Sequence, residues 1–119
     1  MLNRNEMKAL LVSNKEFAKE FNRIVAKVHT LYVTKARATQ STASPETIVA
    51  CRESVMKLLA GITKNIVALN DAHDKTIMGY VEDLKLVQTK WNLADEFYLI
   101  AVEFMEDMEA AEAIAAAHL

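Results

Sequence analysis

The amino-acid sequence predicts an all-α fold, an antiparallel helical bundle of four helices. Three observations predict it. The 119 residues include 2 Gly and 1 Pro, where average usage would supply roughly 8 and 6; a sheet-rich fold needs many more turn formers. Alanine, the strongest helix former, is abundant at 18 residues. Apolar residues recur at steps of three and four along most of the chain, the spacing of a helix with one buried face. A hydrophobic fraction of 52% beside 25% charged residues is that of an ordinary globular chain, neither disordered nor membrane-spanning. One domain over residues 1–119 is expected.

The first helix is expected over about 5–36. In a seven-residue frame Met7, Asn14, Phe21 and Val28 share one position, and Leu10, Phe17, Ile24 and Leu31 another. Leu11, Ala18, Val25 and Tyr32 widen the stripe. Asn14 is the polar exception, and a lone Asn inside an apolar seam can set register or oligomer state. The alternative is that it lies at the wet end of the core. Residues 37–44 lose the pattern and read as a polar loop. Ser44-Pro45-Glu46 then opens a second helix over 45–69, with Ser44 as cap, Pro45 in the first turn and Glu46 complementing the helix dipole. Its stripe is Ile48, Cys51, Val55, Leu58, Leu59, Ile62, Ile66 and Leu69.

The phase resets between Asn70 and Thr76, where Asp71 and Asp74 have capping spacing. A third helix is expected over 74–90, carrying Ile77, Tyr80, Val81, Leu84, Val87 and Trp91 on or next to its stripe. Asn92 and Asp95 resemble a cap for a fourth over 93–117, with Phe97, Ile100, Ala101, Phe104, Met108, Ala111, Ile114 and Ala115. No Gly or Pro follows Gly79. The alternative is therefore three long helices, the last overhanging into an oligomer.

The net charge of −2 conceals strong polarity. Residues 1–50 carry 8 basic and 4 acidic side chains, residues 51–91 carry 6 and 5, and residues 92–119 carry none and 7. Lys15, Lys19, Arg23 and Lys27 recur every four residues as a ridge. Such a ridge can meet phosphates, be a solvated face, or pair with the acidic last helix. Interleaved Glu16 and Glu20, and the lack of alternating aromatics, argue against nucleic acid.

Glu103, Glu106, Glu109 and Glu112 stand three apart, a spacing at which carboxylates can share a metal. Di-iron bundles also need Glu-x-x-His pairs on two helices, and this chain has none. Glycine at only 61 and 79 leaves no phosphate-cradling loop. His73 is expected in a surface turn and Cys51 as a buried, inert thiol. No cofactor is expected.

The functional expectation is a non-enzymatic protein–protein interaction module: a small adaptor, regulator or inhibitor that presents helix faces to a protein partner and self-associates. Surplus apolar residues Met56, Met78 and Met105, with the acidic Glu103, Glu106 and Asp107, are the candidate interface. The alternative is a nucleic-acid-associated protein using Lys15, Lys19, Arg23 and Lys27, and a weaker one is a carboxylate-based metal-dependent enzyme. The expected setting is the cytoplasm. Cys51 is the lone cysteine, the first residues lack the apolar stretch of a signal peptide, and the longest apolar run, 97–102, is too short to span a bilayer.

Overall fold

The structure, a computed structural model, describes residues 1–75, 77 and 83–117. Among them are four α-helices and no strand: α1 (Arg4–Ser13), α2 (Lys15–Ala38), α3 (Pro45–Asp71) and α4 (Val87–Ala117), with a short 3₁₀ turn at Asp83–Lys85. The fold is an all-α bundle, and the helices are divided differently from the sequence expectation.

The first helix is two. Asn14 has extended backbone angles, φ −133° and ψ 108°. Its N–H closes α1 by donating to the Leu10 carbonyl at 2.9 Å. Its side-chain oxygen opens α2 by accepting from the Phe17 N–H at 3.0 Å. A short amide side chain competes with the backbone for such bonds, which makes Asn a good cap and a poor interior residue. Only one residue leaves the helix, so the apolar frame survives the break. At the start of α1, Asn3 and Glu6 exchange bonds of 2.8 and 3.2 Å in a capping box. Ser44 caps α3 as expected, accepting from the Thr47 N–H at 3.2 Å.

Of the helix expected over 74–90, the described residues carry only the last turn, and it belongs to α4. The chain turns after α3 because Asp74 adopts φ +55°, and the N–H groups of His73 and Lys75 both donate to the Asn70 carbonyl at 3.0 Å. Such left-handed endings satisfy the last carbonyls of a helix. Residues 76 and 78–82, Met78 among them, and 118–119 lie outside the described residues. Asn92 caps nothing. Its Oδ1 accepts from Gln88 Nε2 at 2.9 Å, one turn back, and α4 runs through residues 91–93 unbroken.

The core is built on α2 and α3, the most closely packed pair. Phe17, Phe21, Ile24, Val28 and Leu31 of α2 cluster with Leu59, Ile62 and Ile66 of α3, with Met7 of α1, and with Phe97 and Ile100 of α4. Phe17 stacks on Phe21 at 5.9 Å between ring centroids, and Phe21 on Phe97 at 5.3 Å. Each such side chain, fully buried, contributes about 1.5–3 kcal/mol. The molecule measures 57 × 37 × 20 Å. At about 1.5 Å per residue, the 31 residues of α4 extend ~46 Å, long enough to leave the body of the bundle. From residue 105 to 117 every position of α4 is exposed. Among the described residues no helix is long and apolar enough to cross a membrane.

Candidate partner-binding groove

A groove of about 430 Å³ opens where the end of α2, the first half of α3 and the start of α4 meet. Lys35, Ala38 and Thr39 line it from α2 and its cap, Arg52, Val55 and Met56 from α3, and Trp91 from α4. Lys35 and Arg37 occupy the last turn of α2, where cations complement the negative end of the helix dipole. Trp91, the single tryptophan of the chain, packs half-buried against the core and gives the groove its aromatic wall. Lys35 Nζ sits 4.6 Å from the centre of the Trp91 ring, within cation–π range. Met56 is 47% exposed and supplies a pliable apolar surface.

The chemistry of this groove is an apolar floor under a cationic rim. Neither Lys35 nor Arg52 has a carboxylate ion-pair partner among the described residues. The Thr39 hydroxyl is engaged, donating to the Ala36 carbonyl at 2.9 Å. The groove therefore places positive charge beside an apolar surface.

The acidic residues divide into two sets. Arg4 donates to Glu96 from Nε and Nη2, at 2.8 to 3.1 Å, and to Glu103 from Nη1 at 2.7 Å. Lys8 reaches Glu103 at 3.0 Å and Asp107 at 3.3 Å. Hydrogen bonding to Glu96 raises the pKa of Arg4, and hydrogen bonding to Glu103 raises that of Lys8. The Tyr32 hydroxyl donates to Asp95 at 2.5 Å. So Glu103 and Asp107, expected at an interface with another molecule, hold α1 against α4. Glu106, Glu109 and Glu112 are exposed, with no ion-pair partner among the described residues.

The four residues of the basic ridge have different surroundings. Arg23 pairs with Glu20 at 3.4 Å, and Lys27 donates to Asn65 at 2.6 Å. Lys15 and Lys19 are exposed. The basic residues that meet the acidic helix are Arg4 and Lys8, ahead of the ridge. Asn14 is the single non-helical residue between α1 and α2. Met105 is 61% exposed on the distal half of α4, away from the groove's lining. Glu103, Glu106, Glu109 and Glu112 form no metal-holding group of three among the described residues.

Sequence reasoning assigned Trp91 to the core stripe and missed the groove. The available signals were a lone tryptophan at the stripe's edge and two cations, Lys35 and Arg52, with no acidic residue one turn away on their own helices. Compared with protein-family models, with curated proteins and with solved structures, the chain matches none.

Proposed function

We propose that this chain is a non-enzymatic protein-interaction module, a small adaptor, regulator or inhibitor, and that the Trp91 groove grips an acidic amphipathic helix of its partner. The observation that carries this reading is the pair of cations, Lys35 and Arg52, with no carboxylate partner among the described residues, over the apolar surface of Val55, Met56 and Trp91. Helix-in-groove recognition places apolar anchors from successive turns into such a floor, and flanking charges orient the ligand. The polarity of the chain supports the same mechanism, because a cationic rim speeds encounter with an anionic helix and rejects a cationic one. A cytoplasmic setting belongs to the same proposal, supported by a single, buried, unpaired cysteine.

Trp91 is its own reporter. A synthetic helical peptide with a Leu stripe flanked by Glu should shift Trp91 emission on titration, and added salt should weaken the response. A Lys-flanked version should give none. In the Lys35→Glu/Arg52→Glu variant the preference should reverse. Equal responses to both peptides, or none to either, would reject the reading.

A further inference from the structure

We infer that the groove's occupant is the distal half of α4 from a second copy of this chain. The inference rests on the proposed reading of the groove and names its partner. Its first support is the apolar stripe of α4. Phe97 and Ile100 are wholly buried in the chain's own core. Phe104 is half-buried, and the same face continues through Met108, Ala111 and Ala115 into solvent. Met108 is 45% exposed and Ile114, beside that face, 62%. One uninterrupted helix face is thus core for its first half and bare for its second.

Charge selects what covers the bare half. The acids nearer the bundle are already matched: Glu96 and Glu103 by Arg4, and Glu103 and Asp107 by Lys8. Glu106, beside Asp107, and Glu109 and Glu112 farther out have no ion-pair partner among the described residues, and residues 92–119 contain no Lys or Arg. Two such arms laid against each other would bring like charges together. Among the described residues the groove has the opposite character, apolar below and cationic above. Met108 and Glu112, one turn apart on one side of α4, offer the apolar anchor and adjacent carboxylate that the groove is built to take. The small Ala side chains around them allow close approach of the helix.

The occupant must come from another molecule. Trp91 stands near the start of α4 and the arm begins at Met105 on the same rigid helix, so ~21 Å separates the arm from its own groove. If each arm lies in the other's groove, the two contacts are identical and close a two-fold dimer.

Complementary charge reversal tests this. In the full-length chain, Lys35→Glu/Arg52→Glu reverses the groove and Glu109→Lys/Glu112→Lys reverses the arm; all four positions are exposed. By light scattering over a concentration series, the unaltered chain should be a dimer. Each variant alone should dissociate more than about 100-fold more readily, since like charges placed across a contact cost several kcal/mol. Mixed in equal amounts the two should re-form dimers, because acidic arm then meets basic groove and basic arm meets acidic groove. That recovery also shows that both variants fold. The milder Glu109→Gln/Glu112→Gln should weaken the dimer to an intermediate degree.

Variants that remain dimeric alone, a mixture that stays monomeric, or assembly that grows without limit would each overturn the closed pair. A monomeric unaltered chain whose Trp91 still responds to the unrelated Glu-flanked peptide would sink self-pairing and leave the reading of the groove standing. No response to the peptide as well would sink both.

Discussion

The backbone N–H of Leu2 donates to the side-chain carbonyl of Asn70 at 2.8 Å, across 68 residues of sequence and out of contact with solvent. Asn70 is 0% exposed, and its amide nitrogen donates in turn to the Ile66 carbonyl at 2.9 Å. Its own backbone carbonyl accepts from His73 and Lys75. One buried residue therefore ends α3 and ties down the start of α1, and through α1 it brings Arg4 and Lys8 to α4.

Asn70→Leu removes the acceptor and leaves the Leu2 N–H buried without a partner. A stranded buried donor costs about 1–3 kcal/mol. Urea unfolding should show that loss, and the first residues should become sensitive to limited proteolysis under native conditions. Unchanged stability would mean that Leu2 does not depend on this anchor.

Asn14→Ala removes the side chain that caps α2 at Phe17. The expected loss is about 1 kcal/mol, the usual cost of an N-cap. If Asn14 instead sat inside one continuous helix, the same change would stabilise the chain, because Ala is the better interior residue. The sign of the shift in the urea midpoint separates the two.

Phe21→Ala and Met105→Ala remove large apolar side chains from opposite circumstances. Phe21 is 1% exposed between Phe17 and Phe97, and its loss should cost about 3–5 kcal/mol. Met105 faces solvent, and its replacement should change stability by less than about 0.5 kcal/mol. Both are read by thermal or urea unfolding at a concentration low enough to keep the protein monomeric.

The Tyr32–Asp95 contact makes stability fall in alkali. Desolvation first, then the hydrogen bond and negative charge of Asp95, raise the Tyr32 pKa well above its ordinary 10.0. A folded-state pKa above the unfolded one favours the protonated phenol in the native protein. That contribution is complete below about pH 10 and is lost as the pH rises from there toward the folded value. Tyr32→Phe should lower the unfolding midpoint at neutral pH, where that contribution is complete, and flatten its alkaline slope. On the acid side, the Asn3 backbone hydrogen bond lowers the Glu6 pKa, with Lys75 assisting. The stability from Glu6 is therefore present above its ordinary pKa and is lost as the pH falls through the lower folded value. Glu6→Gln should remove that acid limb.

Much of the fold was legible residue by residue. Ser44 and Pro45 open α3 where their chemistry says they should. The heptad positions of Phe17, Phe21, Ile24, Val28 and Leu31 are the buried face of α2. Asn14 was placed correctly on the stripe yet misjudged, because a one-residue break leaves apolar spacing intact. The turn after α3 was legible from Asp71 and Asp74, but spacing alone cannot report that Asp74 takes a positive φ. At Asn92 the cap signal was false, since the amide had a partner one turn back in Gln88. Of the interface candidates, Met56 lines the groove, while Glu103 and Asp107 are held by α1.

Helicity, the apolar faces and the separation of basic from acidic segments follow from the chain's order alone, because propensity and three-to-four spacing are local properties. Burial, pairing and exposure depend on what stands opposite, and only packing supplies that. It hid Asn70 beneath Leu2, joined Lys35 to Trp91, gave the inner acids of α4 to Arg4 and Lys8, and let the apolar face of α4 run past the end of the bundle.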